Sequence, residues 1–185
     1  MKSGPTRKNK NLSRQSDQED GLAFTQHDHS QCQQQTLSLA KEHCRVNKLR
    51  LTPRRLQVLE IILRSHQPLG AYEILAQMDS SGPGEKLAPP MVYRALEFLQ
   101  TQKLIHRLES KNAYIGCHHP GHTREAQFLI CRDCDRVAEL SVSDASIKNQ
   151  ASQIGFAVDH SVIEISGLCS NCQQTDQSRD GESSE

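Results

Sequence analysis

The chain has 185 residues, with 22 Lys and Arg against 22 Asp and Glu and a hydrophobic fraction of 35%. That suits one ordinary domain or two small ones diluted by polar segments. No apolar run approaches the roughly 18 residues of a membrane span, and the N-terminus (Met1, Lys2, Arg7, Lys8, Lys10) lacks the apolar stretch of a secretion signal. A membrane-spanning, exported, collagenous, coiled-coil or mucin-like chain is thus excluded as the default, and a cytoplasmic location is expected. Residues 1–35 are rich in Lys, Ser, Gln, Asp and Asn and read as a disordered extension. Leu37, Ala40 and Cys44 then recur at helical spacing, Cys44 as a packing residue. Thr52-Pro53 is a helix start, a side-chain cap followed by a residue whose missing N–H costs nothing there. Leu56, Leu59, Ile62 and Leu63 mark its buried face. Pro68-Leu69-Gly70 breaks the chain, 71–78 makes a short helix, and Gly82-Pro83-Gly84 lies in a loop. Pro89-Pro90 opens the next helix, with Val92, Ala95, Leu96 and Leu99 inward and Tyr93, Arg94 and Glu97 off the stripe.

Residues 104–109 and 113–117 read as two strands joined by Ser110-Lys111-Asn112. Short helices followed by a hairpin outline a winged helix-turn-helix over 36–117. The polar, turn-prone 118–126 reads as a hinge. Residues 127–172 form a small α/β unit: strands at 127–130 and 137–142, a helix over 144–154 ended by Gly155, and strands at 156–158 and 161–166. The last residues, 173–185, read as a disordered acidic tail. The fold class is α+β. The zero net charge conceals an asymmetry, 12 cationic against 7 anionic residues over 36–111 and 4 against 7 over 112–172, which fits a basic half that meets a polyanion.

Seven cysteines without a secretion signal point to metal or thiol chemistry in a reducing compartment. Cys131, Cys134, Cys169 and Cys172 make two C-x2-C knuckles, each putting two sulfurs on a tight turn. Four thiolates suit a closed, structural Zn2+ shell whose binding energy supports a unit too small to be secure alone; a redox pair or labile disulfide is the alternative. A second set, His106, Cys117, His122 and Glu139, offers imidazole, thiolate and carboxylate where the two halves meet. His27-Asp28-His29 with Cys32 has ligand chemistry too, in a segment read as a solvated tail, with zinc scavenging or delivery as the other reading. No phosphate loop, nucleophile elbow or HExxH motif is present, so no enzyme activity is expected.

Arg50-Leu51-Thr52-Pro53-Arg54-Arg55, Leu69 to Leu75 and Pro89 to Leu99 resemble the ferric uptake regulator family, and Asn112 to Cys117 with Gly167-Leu168-Cys169-x-x-Cys172 look like its zinc-uptake branch. The resemblance spans about 37–172. It implies a dimeric, zinc-loaded repressor of zinc-uptake genes on palindromic operators, with a C-terminal dimerisation domain. It implies a structural zinc on Cys131, Cys134, Cys169 and Cys172 and a regulatory zinc on His106, Cys117, His122 and Glu139, about two ions per subunit. His119 stands as a substitute for His122, and His160 as a donor to a further site. Tyr93 and Arg94 are expected at base edges and Arg50, Arg54 and Arg55 at phosphates. An iron or peroxide sensor of the same family and a zinc chaperone without DNA binding are the rival readings.

Overall fold

The computed structural model describes residues 22–79, 88–120, 127–140, 145–159 and 161–180. A 3-10 turn, Leu22–Phe24, precedes helix α1, His29–Val46. The Asp28 carboxylate caps α1 by accepting from the Ser30 amide at 3.0 Å and the Gln31 amide at 3.4 Å. The helix therefore starts seven residues before the expected boundary, inside the segment read as disordered. Its first two turns are almost wholly polar, which hid them from a reading based on apolar periodicity. Thr36, Ala40 and Cys44 form the buried face.

Helix α2, Pro53–Ile62, carries the expected cap: Thr52 Oγ1 accepts from the Arg55 amide at 3.4 Å. Helix α3, Ala71–Asp79, is followed by α4, Pro89–Thr101, which buries Val92, Ala95, Leu96 and Leu99 as its spacing requires. The loop assigned to Gly82-Pro83-Gly84 lies outside the described residues. Strands β1, Ile105–Leu108, and β2, Ala113–Gly116, form an antiparallel hairpin in which His106 pairs with Ile115. Leu69 and Tyr114 exchange two backbone hydrogen bonds of 2.9 Å, adding the α2–α3 loop to the wing.

The second lobe is a three-stranded sheet ordered β4-β3-β5, from β3 (Gln127–Cys131), β4 (Val137–Leu140) and β5 (Ile163–Gly167). Strands β3 and β5 run parallel, so a crossover must join them; helix α5, Ala145–Gln153, lies in that connection. No strand forms at 156–158, contrary to expectation. Gly155 sits at φ +79° and the Phe156 amide donates back to Ala151 O at 2.9 Å, so this stretch closes α5. Helix α6, Ser170–Asp180, starts inside the second cysteine knuckle and occupies much of the expected tail. Its polar sequence has no apolar stripe to announce it.

The hairpin lies between two cores. Ile105 and Tyr114 pack into the helical core, whereas Leu108 and Ile115 join Phe128, Ile130 and Val137. The period-two alternation of a strand then puts His106 and Cys117 on the side of Ile115, facing the second lobe. On β4 the same alternation puts Glu139 on the side of Val137, facing the hairpin. A Cβ at Gly116 would run into a terminal methyl of Leu63, so that side chain would have to shift. The lobes are joined by polar contacts as well. Val137 donates its amide to His66 O at 2.9 Å, Gln67 Nε2 donates to Cys134 O at 2.9 Å, and Lys111 Nζ lies 2.6 Å from Asp135 Oδ1.

The Glu164 carboxylate accepts from the amides of Glu109 at 2.7 Å and Ser110 at 3.1 Å across the same junction. Burial opposes its charge, but Ser110 and these amides hold the carboxyl below its ordinary value. Its contribution to stability is therefore complete above about pH 5 and is lost as the pH falls through the lowered folded value. Glu164→Ala should cost about 1 kcal/mol at pH 7 in urea unfolding and flatten the acid limb of the stability profile.

Candidate metal centres and nucleic-acid face

Cys131 ends β3, Cys134 lies in the turn that Asp135 completes at φ +56°, Cys169 directly precedes α6 and Cys172 lies in its first turn. The four sulfurs lie within 4.8 Å of one another. Cys134 Sγ and Cys169 Sγ are 3.8 Å apart, far beyond a disulfide at roughly 2.05 Å. That distance matches the edge of about 3.8 Å expected between two sulfurs bound at ~2.3 Å to one tetrahedral ion. Burial opposes ionisation of Cys131, but the amides of Cys134, Cys169 and Asp133 more than offset it and bring its thiol down to about 6. Four sulfurs gathered in one small volume, one of them backed by three amides, are a donor set for a soft or borderline cation, and its chemistry fits zinc.

The second centre gathers His106 from β1, Cys117 just beyond β2 and Glu139 from β4, their donor atoms within 4.8 Å. His106 Nε2 lies 3.2 Å from Glu139 Oε1, and Cys117 Sγ is 3.9 Å from that oxygen. The other carboxylate oxygen accepts from the His118 amide at 3.2 Å. His106 Nε2 is nevertheless buried without an aligned hydrogen bond. Cys117 Sγ–H donates to the Glu139 carboxylate, and the His106 nitrogen is left beside them within reach of a shared ion. Burial and the Glu139 charge push the Cys117 thiol up, whereas burial of Glu139 is more than offset by His106 and the His118 amide, so its carboxyl stays low. The pocket thus holds an acceptor-rich, net anionic set that a divalent cation fits.

His122 and His160 lie outside the described residues. His119 is described and is not among the donors gathered with Cys117. A third group, His27, His29, Cys32 and His66, also converges. His66 was missed in the sequence, where an isolated histidine in a loop carries no signal.

Tyr93 and Arg94 are exposed on α4, as expected, and line an open groove with Glu97, Gln100, Thr101 and Tyr114. Arg50 and Arg54 are exposed. Arg55 is half-buried: its guanidinium stacks 3.5 Å from the Phe98 ring centroid and donates to Arg50 O at 2.6 Å.

The model of the ferric uptake regulator family matches residues 46–166. The chain belongs to that family. It is 36% identical over 151 residues to the zinc uptake regulation protein of Escherichia coli (strain K12), an alignment covering 79% of this chain and 86% of that protein. A solved zinc uptake regulator complexed with zinc and DNA is 34% identical with a TM-score of 0.71, covering 78% of this chain and 97% of that one. The crystal structure of holo XcZur is 36% identical with a TM-score of 0.67, covering 75% and 96%.

In this member of the ferric uptake regulator family, Arg55 ties the start of α2 to the groove helix α4. Arg55→Ala removes a cation–π contact and the packing of its stem, and should lower unfolding stability by about 1–2 kcal/mol with the metal content unchanged. Chemical denaturation and metal analysis check the two parts.

Proposed function

We propose that the chain is a zinc-responsive transcriptional repressor of zinc-uptake genes, a regulator and not an enzyme, which binds palindromic operators as a cytoplasmic homodimer. The observation that carries this reading is the junction centre. His106 and Cys117 belong to the winged lobe and Glu139 to the other lobe, and their donor atoms converge. Cys131, Cys134, Cys169 and Cys172 hold the structural ion of the small lobe. His106, Cys117 and Glu139 are three regulatory ligands, with His122 as the fourth or His119 in its place, and His160 remains a candidate at a further site.

Bound zinc supplies a divalent charge that offsets the thiolate and carboxylate and fixes its donors at one point. The hairpin and β4 then keep one relative orientation, and so do the two groove helices of a dimer, whose separation must match successive major grooves at roughly 34 Å. A thiolate at Cys117 favours zinc over iron or manganese. The described chain also leaves Ile147, Ile154, Phe156, Val162 and Ile165 exposed around α5 and the edge strand β5, a face suited to a second copy. That no described helix is long and apolar enough to cross a membrane is consistent with this reading. Arg94 suits guanine O6 and N7, Tyr93 a thymine methyl or a phosphate, and Arg50 and Arg54 the backbone. Arg55 reaches phosphate only as far as its stack on Phe98 allows.

The test is a titration of the full chain against a palindromic duplex that it selects from a random pool, with zinc, iron(II) and manganese(II) buffered separately. Zinc should tighten binding by at least about tenfold, the scale of a 1–3 kcal/mol coupling, and the other metals should not. Cys117→Ser should abolish the gain, and Arg94→Ala should weaken zinc-loaded binding roughly 10- to 100-fold and relax base preference at one position. Equal affinity in strong chelator and in zinc overturns the reading.

A further inference from the structure

His27 and His29 lie at the entry to α1, Cys32 in its first turn, and His66 in the loop between α2 and α3. One donor atom from each lies within 4.8 Å of the others. His66 is only 8% exposed, and its ring is surrounded by imidazoles: His29 at 4.6 Å, His27 at 5.0 Å and His118, stacked, at 5.4 Å between centroids.

The hydrogen bonds fix which nitrogens are left as donors. His27 Nδ1 lies 3.2 Å from Thr25 O, so that nitrogen carries the hydrogen and Nε2 keeps its lone pair. His29 Nε2 lies 3.2 Å from Leu63 O, which likewise leaves the lone pair on Nδ1. That Nδ1 is buried with no hydrogen-bond partner. A histidine whose far nitrogen is held by a backbone carbonyl while the near one points at its neighbours has the orientation of a metal ligand. His66 Nε2 and His27 Nε2 are 3.0 Å apart, close to the edge of roughly 3.3 Å between two imidazoles bound at ~2.0–2.1 Å to one tetrahedral ion.

A purely hydrogen-bonded histidine cluster accounts for the His27–His66 contact but leaves His29 Nδ1 orphaned in a buried site.

We propose that His27, His29, Cys32 and His66 form a further zinc site, in which three imidazoles and a thiolate complete a four-coordinate shell. The site fastens the segment ahead of α1 across both lobes. Ala23 in that segment is buried, Phe24 packs against the four-cysteine cluster, and Phe24 O accepts from Asn171 Nδ2 at 3.4 Å. His118 sets the new site beside the junction centre, its ring on His66 and its amide on Glu139. The proposal does not depend on the repressor reading.

The test uses the full chain with His27→Ala and Cys32→Ser, neither of which is a core residue. After saturation with zinc and desalting, the parent should retain one more zinc ion per protomer than either variant. Zinc should also slow iodoacetamide alkylation of Cys32, read by peptide mass spectrometry, at least tenfold in the parent and not in His27→Ala. An unchanged zinc count, a loss larger than one ion, or Cys32 alkylation at the same rate with and without zinc overturns the proposal. DNA binding in the same samples reports separately on the repressor reading.

Discussion

The structure turns on one buried carboxylate. Glu139 reaches from the sheet of the second lobe into a pocket floored by the wing, where His106, Cys117 and the His118 amide surround it. Burial opposes that charge, but the His106 imidazole and the His118 amide more than offset it, so the carboxyl stays ionised. An ionised carboxylate beside an imidazole and a sulfur is a donor set that a divalent cation fits. Because the donors come from both lobes, whatever satisfies the pocket also sets the angle between them. In the proposed reading, this is how the junction site governs the DNA surface assigned to α4.

Two further features extend the same logic. The small lobe presents little apolar interior of its own: the buried cluster around Phe128, Ile130 and Val137 is completed by Leu108 and Ile115 of the hairpin. In the proposed reading, the four-cysteine centre supplies what this core lacks, and the wing is shared between a packing role and a sensing role. The segment ahead of α1 adds another tie, touching the cysteine centre through Phe24 and the α2–α3 loop through His27. Metal chemistry and interlobe contact thus occupy the same narrow zone.

Much of this was legible in the residues. Thr52-Pro53, the Val92 to Leu99 stripe and the two cysteine knuckles each carry a local rule, and local rules survive folding. The pairing of His106, Cys117 and Glu139 was anticipated by residue type and by resemblance; the strand alternation that aims all three at one point needed the structure. What stayed hidden has physical causes. The start of α1 is polar and is held by the Asp28 cap and by contacts distant in sequence. Helix α6 has no apolar stripe, and its start coincides with the second cysteine knuckle. Phe156–Val158 has strand-like residues, but Gly155 turns the chain so that Phe156 closes α5. His66 gains meaning only from neighbours 34 or more residues away.

The central claim is that metal binding at the junction and DNA binding are two faces of one equilibrium. Linkage requires the effect to be reciprocal. The most direct measurement is the zinc affinity of the junction centre, by chelator competition, with and without saturating duplex. Duplex should tighten zinc binding by the same factor by which zinc tightens duplex binding. Identical zinc affinities in the two conditions, alongside zinc-dependent duplex binding, would contradict it.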